Sequence, residues 1–501
     1  MKEQDILLNP NELVQHLKKP AAEFTKHDII TFAEDREIRM INFRYVAEDG
    51  KLKTLNFVIS SRDYLASILS SGERVDGSSL FSFIEAGSSD LYVVPRYKTA
   101  FVNPFTEIPA LEILCSFYTA KGTPYEGAPE YVLRKAHVEF KKETGYVFKA
   151  FGELEYYVNS ISDPLYSLQD QKGYHQSGPF VKFENLRVEA LDLLAKAGCK
   201  IKYGHSEVGS FTSGGEDFEQ HEIEFLPVDV EDAADQLVIA KWILRMLSCK
   251  HGVEVNFAPK IMVGKAGSGL HIHMMLEKDG KNAMVSSGHL SETAHKIIAG
   301  ILHLSPALTA FGNTVPVSYL RLVPHQEAPT NICWGYRNRS VLIRVPLGWR
   351  SGNQMTIDAN PSEKTDPEQG DSKQTIEFRA PDGSADIYKL LAGLVVAAKH
   401  GLNRKDALEM TEKLYVDVNI FDKKNSEKLN KLDKLPASCW ESAESLKKLR
   451  SYFEKDNIFT SAVIDFTIQK LRSYNDQGLS ETLYGKEEEI NKLVKKYIHV
   501  M

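Results

Sequence analysis

The stretch that decides the fold is Gly267-Ser268-Gly269-Leu270-His271-Ile272-His273-Met274-Met275-Leu276, in which a flexible turn leads into an apolar run carrying two histidines. The run predicts a β-strand, and residues two apart in a strand point to the same face. We therefore expect His271 and His273 to share one face. Taken alone, such an alternation is typical of a half-exposed strand with a polar solvent face.

The same pattern recurs in three other stretches. They are Phe151-Gly152-Glu153-Leu154-Glu155-Tyr156-Tyr157, Gln220-His221-Glu222-Ile223-Glu224-Phe225 and Thr375-Ile376-Glu377-Phe378-Arg379. The first two place paired carboxylates on one strand face, and the third sets a carboxylate beside a guanidinium. If the four faces meet, they form a carboxylate cluster with at least one histidine, which suits Mg²⁺ or Mn²⁺. Two such ions are the usual clamp on nucleotide phosphates.

The composition is ordinary for a soluble globular protein. The chain has 501 residues, of which 43 % are hydrophobic and 26 % charged, so it is ample for a large core and for more than one domain. A net charge of −7 gives no basic excess that would indicate a nucleic-acid or membrane partner. The N-terminal segment is too polar for a signal peptide, and no run of about 18 apolar residues predicts a transmembrane helix.

The five cysteines indicate a reducing compartment. They are Cys115, Cys199, Cys249, Cys333 and Cys439, which are scattered, odd in number and without CxxC spacing. This distribution predicts reduced core residues and a cytoplasmic protein, and it argues against a disulfide framework or a zinc site.

The order of predicted elements indicates an α+β fold in two domains. Residues 1–122 are rich in predicted strands, including a hairpin whose turn contains Asp49-Gly50. The turn at Lys121-Gly122-Thr123-Pro124 marks the predicted boundary, and residues 123–501 form the larger domain. Residues 350–373 are rich in Gly, Asn, Asp, Pro and Ser and predict a mobile surface insert, whereas the chain beyond Asp386 is nearly all helical.

Five arginines lie within about sixty residues of one another beside predicted strands. They are Arg321, Arg337, Arg339, Arg344 and Arg379. Arginine is suited to gripping phosphate and carboxylate oxygens in a forked geometry. The alternative is a set of structural ion pairs.

Together these motifs resemble those of the glutamine synthetase family, type I, and occur in the family's order over nearly the whole chain. The matched stretches are VDGSS at 75–79, GELEYY at 152–157, KGY at 172–174, HSEV at 205–208, EQHEIEF at 219–225, GSGLHIH at 267–273, RLVPHQEAP at 321–329, RNRS at 337–340 and EFRAPD at 377–382. No single motif is specific, but the combination is. It implies an N-terminal β-grasp-like domain and a large catalytic domain whose antiparallel sheet is flanked by helices.

The resemblance also implies a role for each matched residue. One Mg²⁺ or Mn²⁺ ion would be held by Glu155, Glu207 and Glu222, and a second by Glu153, His271 and Glu377. The ATP phosphates would meet His273, Arg339 and Arg344, while Arg321 and Arg379 would hold the carboxylates of glutamate. Gly267 would lie in the loop near the amino acid, Glu327 on the flap that closes the site, and Tyr174 at the ammonium pocket. Of these, Glu327, Arg339 and Arg379 are the expected catalytic residues.

The implied reaction is the ATP-dependent ligation of ammonia to the side-chain carboxylate of glutamate through γ-glutamyl phosphate, giving glutamine, ADP and phosphate. Such an enzyme would serve glutamine biosynthesis. The resemblance further implies a homo-oligomer, a dodecamer of two stacked hexameric rings with each active site between neighbouring subunits. No nucleic-acid or membrane partner is expected.

The sequence departs from the family most clearly at Ala47. The family usually has an aspartate there, which takes the proton of ammonium across a subunit boundary. Glu48 or Asp49 would substitute if the hairpin is shifted; otherwise the pocket is enlarged for an organic amine.

Smaller departures lie elsewhere in the chain. Ala266 replaces an asparagine, Thr375 replaces an arginine, residues 210–219 are inserted, and Tyr415 lacks the context of an adenylylated tyrosine. Three functions stay open: an ammonia ligase, a γ-glutamyl ligase for an organic amine such as a polyamine, and a catalytically silent relative.

Overall fold

The computed structural model describes residues 3–84, 87, 89–163, 165–323, 328–348, 352–363, 373–418, 431–483 and 485–500. The chain opens with three helices: α1 (Glu3–Leu7), α2 (Glu12–Leu17) and α3 (Lys26–Asp35). A capping box begins α3, because Thr25 and Asp28 satisfy each other's backbone N–H groups.

A mixed six-stranded sheet forms the core of the N-terminal part. Its strands are β1 (Met40–Val46), β2 (Leu52–Val58), β3 (Glu73–Asp76), β4 (Asp90–Pro95), β5 (Phe101–Val102) and β6 (Ala110–Thr119), with α4 (Arg62–Ser71) between β2 and β3. The order is β2-β1-β6-β4-β3, with β5 also on β6; only β1 and β6 are parallel. Apolar residues of α3 and α4, such as Phe32 and Leu69, pack with Phe43 and Ile113 of the sheet. This arrangement agrees with the predicted β-grasp-like domain.

The predicted hairpin between β1 and β2 is confirmed. Val46 lies opposite Leu52, and the N–H of Gly50 donates to the carbonyl of Ala47 at 3.1 Å. Gly50 has a φ of 74°, a conformation that glycine adopts without strain.

A ten-stranded sheet forms the centre of the larger domain. Its strands are β7 (Val147–Ile161), β8 (Ile201–Ser213), β9 (Glu216–Phe225), β10 (Val228–Asp229), β11 (Glu254–Asn256), β12 (Leu270–Lys278), β13 (Lys281–Asn282), β16 (Trp334–Tyr336), β17 (Ile343–Val345) and β18 (Ile376–Phe378), while β14 (Val285–Ser286) and β15 (His289–Leu290) form a separate ribbon. The main order is β16-β17-β18-β12-β7-β9-β8. Every pair is antiparallel except β16 with β17.

Helices flank this sheet and make up most of the C-terminal part. They are α5 (Pro129–Thr144), α6 (Glu184–Lys196), α7 (Val230–His251), α8 (Glu292–Gly312), α9 (Ser318–Arg321), α10 (Gly352–Ala359), α11 (Ile387–Asn403), α12 (Ala407–Lys413), α13 (Cys439–Glu454), α14 (Ser461–Arg472), α15 (Leu479–Leu483) and α16 (Glu487–Lys496). A Cβ on Gly152 of β7 would lie 2.8 Å from Leu237 of α7, so this helix packs directly behind the strand that carries Glu153. The α+β prediction is therefore confirmed.

The predicted insert at 350–373 contains an ordered element. Residues Gly352–Ala359 form α10 on the surface of the molecule. Residues 350–351 and 364–372 of this segment lie outside the described part of the chain. The predicted domain boundary at residues 122–123 falls in the connection between β6 and α5.

Candidate active site

Strand register places the predicted carboxylates and histidines side by side on one face of the large sheet. His271 of β12 lies opposite Glu153 of β7, and Glu155 of β7 lies opposite Glu222 of β9. Because side chains alternate along a strand, Glu153 and Glu155 project to the same face. The strand register therefore brings these polar faces together, as predicted.

Two further strands extend this face, β18 beside β12 and β8 beside β9. Glu377 of β18 lies opposite His273 of β12 on one side and opposite Arg344 of β17 on the other. On β8, His205 lies opposite Glu222. We call the whole set the carboxylate face; its members are Glu153, Glu155, His205, Glu207, Glu222, Glu224, His271, His273 and Glu377.

One end of the carboxylate face is built around Glu153. The Nδ1 atom of His271 lies 2.9 Å from Oε2 of Glu153 and 3.6 Å from Oε1 of Glu377. The Nε2 atom of His273 lies 2.8 Å from Oε1 of Glu153. Ligand atoms of Glu153, His273 and Glu377 all lie within 4.8 Å of one another. The three residues predicted for one ion, Glu153, His271 and Glu377, are therefore brought together, with His273 against them.

The other end is built around Glu222. Ligand atoms of His205, Glu207 and Glu222 lie within 4.8 Å of one another, with Nε2 of His205 3.1 Å from Oε1 of Glu222. The Oε1 atom of Glu155 lies 3.8 Å from Nε2 of His271, between the two ends. The other oxygen of Glu155 accepts from the backbone N–H of Gly269 at 2.8 Å.

One member of the face, His205, was not predicted from the sequence, whereas Glu224 was predicted to share a face with Glu222 but was given no role. His205 stands two residues before Glu207 in β8, and Glu224 two residues after Glu222 in β9, so strand periodicity alone assigns both to this face. Glu224 forms a third acidic group with Glu153 and Glu222. Its carboxylate also accepts a hydrogen bond from Lys202 at 2.6 Å.

The face concentrates negative charge in a buried place. Burial, together with the charges of Glu153, Glu155 and Glu207, raises the pKa of Glu222 well above that of an ordinary glutamate. Burial and the nearby Arg379 lower the pKa of His271 to about 4, which leaves its imidazole neutral near pH 7. A neutral imidazole among carboxylate oxygens is a donor set that fits Mg²⁺ or Mn²⁺.

Three of the predicted arginines surround the same centre. Arg379 donates to Oε1 of Glu377 at 2.5 Å, and Arg344 donates to Oε2 at 2.7 Å. Arg321 is buried and donates through Nη1 to the carbonyl oxygens of Ala380 and Pro381, at 2.8 and 3.2 Å. Arg344 and Arg379 therefore form the ion pairs with Glu377 that the sequence analysis named as the alternative to substrate contacts.

Comparisons with known proteins identify the family of this chain. The family profile "Glutamine synthetase, beta-Grasp domain" matches residues 37–120, and "Glutamine synthetase, catalytic domain" matches residues 126–476. The chain belongs to the glutamine synthetase family. Members of this family are ATP-dependent carbon–nitrogen ligases that use divalent metal ions.

Similar proteins and structures cover most of the chain. A glutamine synthetase of Clostridium saccharobutylicum is 30 % identical over 85 % of this chain and 90 % of its own length, and one of Thermotoga maritima is 31 % identical over 83 % and 88 %. The cryo-EM structure of Plasmodium falciparum glutamine synthetase aligns with a TM-score of 0.74 at 20 % identity, covering 94 % of this chain and 98 % of that one. The ligand-free GmaS structure aligns with a TM-score of 0.70 at 18 % identity, covering 89 % and 96 %.

Other residues matched to the family lie on connecting segments. Gly267 precedes β12, and its carbonyl accepts from Gln220 at 3.0 Å. A Cβ on Gly267 would lie 2.7 Å from the carbonyl oxygen of Pro259 and 3.0 Å from the Arg321 side chain, so a larger residue here would displace the backbone. Arg339 is exposed between β16 and β17. Glu327 lies outside the described residues.

Tyr174 lies in the connection between β7 and α6, half exposed. Its ring centre is 4.2 Å from that of His175 and 5.6 Å from that of His205. Backbone hydrogen bonds fix this connection along the edge of β8: Gly173 donates to Val208, and His175 donates to Ser206. Tyr174 is thereby held beside the His205 end of the carboxylate face.

The insertion at 210–219 is an ordered extension of the β8–β9 hairpin. Ser210 lies opposite Glu219 and Ser213 opposite Glu216, after a register shift that follows Ser206. Asp217 in this extension pairs with Lys182, just before α6. The insertion therefore supports the far end of the connection that carries Tyr174.

The structure shows the contacts around Ala47, the clearest departure of this chain from its family. Ala47 is 2 % exposed in the β1–β2 turn. Glu48 accepts from the backbone N–H and the hydroxyl of Ser82 at 2.6 and 3.0 Å, and Asp49 pairs with Lys53 at 2.5 Å. Both carboxylates next to Ala47 are thus bound within their own domain.

Thr375 takes part in the site. Its hydroxyl lies 3.0 Å from Nδ1 of His273, whose Nε2 faces Glu153. Thr375 and Glu153 thus contact the two ring nitrogens of His273. Among the described helices, none combines the length and the apolar character needed to cross a bilayer.

Proposed function

We propose that this enzyme phosphorylates the side-chain carboxylate of glutamate with ATP and then lets ammonia displace the phosphate, which gives glutamine. The observation that supports the proposal is the carboxylate face itself. Burial and the charges of neighbouring glutamates raise the pKa of Glu222, a cost that a protein keeps where cations are to be bound. Such a face suits a reaction on a polyphosphate.

We infer the following ligands for two divalent ions. Glu155, Glu207 and Glu222 would hold one ion, and Glu153, His271 and Glu377 the other. Bound ions of this kind neutralise phosphate charge and polarise the phosphoryl oxygens. His205, whose Nε2 lies 3.1 Å from Oε1 of Glu222, would orient that carboxylate, as outer groups do at metal centres.

The arginines and the flap would act on the substrates. Arg321 and Arg379 would hold the carboxylates of glutamate, while His273, Arg339 and Arg344 would contact the ATP phosphates. Arg344 and Arg379 hold both oxygens of Glu377, which fixes this carboxylate for an ion. Glu327 would close the site and keep water from γ-glutamyl phosphate, with Gly267 beside the bound amino acid.

The second candidate is a γ-glutamyl ligase for an organic amine. Ammonia arrives as ammonium, so a group at the acceptor pocket must take its proton. Ala47 cannot, and Glu48 and Asp49 are engaged with Ser82 and Lys53. The rings of Tyr174, His175 and His205 would instead attract an alkylammonium and cover its carbon chain.

One assay tests both candidates. Phosphate release is measured with ATP, glutamate and Mg²⁺ or Mn²⁺, using ammonium, methylamine, ethanolamine and putrescine in parallel. We expect glutamate-dependent release that ammonium supports. A clear preference for one organic amine would move the function to the second candidate. Absence of release with every acceptor would contradict both and favour a catalytically silent relative.

We further infer a cytoplasmic dodecamer of two stacked hexameric rings, with each active site shared between neighbours. In such a ring the β1–β2 turn of one subunit would face the carboxylate face of the next. Light scattering coupled to gel filtration should show a particle of twelve chains. A stable, active monomer would contradict the inference, because the turn with Ala47 would then have no partner.

A further inference from the structure

A cavity of about 420 Å³ lies between the two domains and apart from the carboxylate face. Its walls come from the β1–β2 hairpin, from α7 and from the first turn of α11. No described member of the carboxylate face lines it. The volume lies within the range of about 300–1,000 Å³ that is usual for small-molecule sites.

Lys241 is a buried lysine in the wall of this cavity. It is 4 % exposed, and its Nζ donates to the carbonyl of Gly383 at 2.6 Å. The same Nζ lies 5.1 Å from the ring centre of Phe257. Within the described residues Lys241 forms no ion pair, and burial with the nearby Arg245 lowers its pKa well below the usual value. A buried ammonium without an ion-pair partner is costly, so burial disfavours the charged form. An anion in the cavity would offset that cost and favour protonation.

The other charged groups that line the cavity leave a positive balance. Arg245, one turn after Lys241 on α7, has its guanidinium carbon 5.1 Å from the ring centre of Phe257. Lys51 of the hairpin lines the cavity and is exposed. The acidic lining residue is Asp386, whose carboxylate pairs with Lys389 at 2.7 Å.

The rest of the wall is apolar. Val46 and Leu52 contribute from the hairpin, Val238 from α7, Val255 from β11 and Ile387 from α11. A bare inorganic anion would leave this surface in contact with water. A ligand with a hydrocarbon part would bury it, at about 0.8 kcal/mol per methylene.

We propose that the cavity binds a small organic carboxylate, with its charge at Lys241 and Arg245 and its hydrocarbon part against Val46 and Leu52. The ligand would exchange the bond between Lys241 and Gly383 for an ion pair. Gly383 lies in the turn between β18 and α11, beside the carbonyls of Ala380 and Pro381 that hold Arg321. Occupancy would therefore loosen the support of Arg321 and raise the half-saturating glutamate concentration. This second step rests on the proposed function, whereas binding does not.

The binding test uses the full chain and 4-methylpentanoate as the probe. Calorimetry measures affinity, and the fluorescence of Trp242, which lines the cavity, reports its location. We expect 4-methylpentanoate to bind saturably and its neutral amide and inorganic phosphate to bind at least about tenfold more weakly. Equal binding of the amide would show that charge plays no part, and equal binding of phosphate would overturn the assignment to an organic carboxylate. Absence of carboxylate binding would overturn the proposal.

Variants locate the charge. Lys241→Met keeps the length of the side chain and should weaken 4-methylpentanoate at least about tenfold. Lys51→Ala should weaken it about twofold, since the side chain is exposed. The matched control is Lys53→Ala, two residues on, which does not line the cavity and should bind like the wild type. Unchanged affinity in both Lys241→Met and Lys51→Ala would overturn the proposal, and Lys51→Ala keeps it testable if Lys241→Met fails to fold.

The coupling is measured separately through phosphate release. Saturating 4-methylpentanoate should raise the half-saturating glutamate concentration about twofold or more in the wild type and not in Lys241→Met. Binding without such a rise would overturn the coupling. A chain that binds the probe but releases no phosphate would contradict the proposed function and leave the binding site standing.

Discussion

The two halves of the candidate active site are built differently. The carboxylate face stands on paired strands, where register fixes each side chain against the next; Glu153 and His271 are one such pair. Several of the residues proposed for substrates and acceptor stand instead on turns and connections, among them Arg339, Tyr174 and Ala47. Strands hold a preformed charge centre, whereas connections can move and change their residues. The difference indicates that the metal chemistry is fixed by the fold and that the choice of acceptor is set by the connections.

The largest loss of activity should come from a change in the carboxylate face, which is built on strands. Glu222→Gln removes a charge but keeps the shape of the side chain. We expect phosphate release to fall at least about 100-fold, because transition-state charge loses a preorganised partner. Thermal stability without metal should stay the same or rise, since the raised pKa shows that the charge of Glu222 is unfavourable there. The control is Glu216→Gln, at the exposed start of the same strand, and equal activity of both variants would contradict the role of Glu222.

A second, smaller effect should come from the arginines. Arg321→Lys and Arg379→Lys each keep the charge and lose the fork. We expect the glutamate requirement to rise about tenfold, with little change in that for ATP. Arg450→Lys, in α13 on the surface, serves as the control. Equal shifts for glutamate and ATP would place these arginines in general support of the fold.

The pH dependence of metal binding sharpens the comparison further. The raised pKa of Glu222 means that this proposed ligand keeps its proton to higher pH than usual, so a metal ion must displace that proton. Affinity should therefore fall as the pH falls, by up to about tenfold per unit for each competing proton. His271, with a pKa of about 4, does not compete near neutrality. Calorimetry of Mn²⁺ binding in buffers of different ionisation enthalpy measures the released protons, and pH-independent affinity would contradict this assignment.

A change in the connecting segments should have the smallest effect on turnover. Ala47→Asp restores the carboxylate that the family usually has in this turn. We expect ammonium-dependent turnover to rise several-fold and turnover with any larger amine to fall, because a charge in a closed pocket favours a small cation. Glu48→Gln, which removes the neighbouring charge already bound to Ser82, is the control and should leave turnover unchanged. A loss of activity in that control would show that a shifted carboxylate serves ammonium.

Much of the strand side could be predicted from sequence, because alternation has a period of two and two positions fix a face. Glu153, Glu155, Glu222 and Glu377 were found in this way. Glu224 was paired with Glu222 on the same basis. His205 obeys the same rule but was not assigned to the face, because its neighbours Gly204 and Ser206 do not give an apolar alternation.

The connection side resisted prediction for a physical reason. The partners of Glu48 and Asp49 depend on how the hairpin lies against Ser82, which no local pattern encodes. The insertion at 210–219 could be located by spacing, but its pairing with Lys182 depends on tertiary packing. For Arg344 and Arg379, which both donate to Glu377, the sequence left two alternatives open: contacts with phosphate or carboxylate groups of the substrates, or structural ion pairs.

The central claim is that the carboxylate face binds two divalent ions, and counting them tests it most directly. Electron paramagnetic resonance of free Mn²⁺ gives the number of ions bound per chain in the absence of nucleotide. We predict two in the wild type and in Glu216→Gln, and one fewer tight site in Glu153→Gln and in Glu222→Gln. Wild-type protein that binds no Mn²⁺ saturably, or variants that bind as many ions as the wild type, would contradict the account.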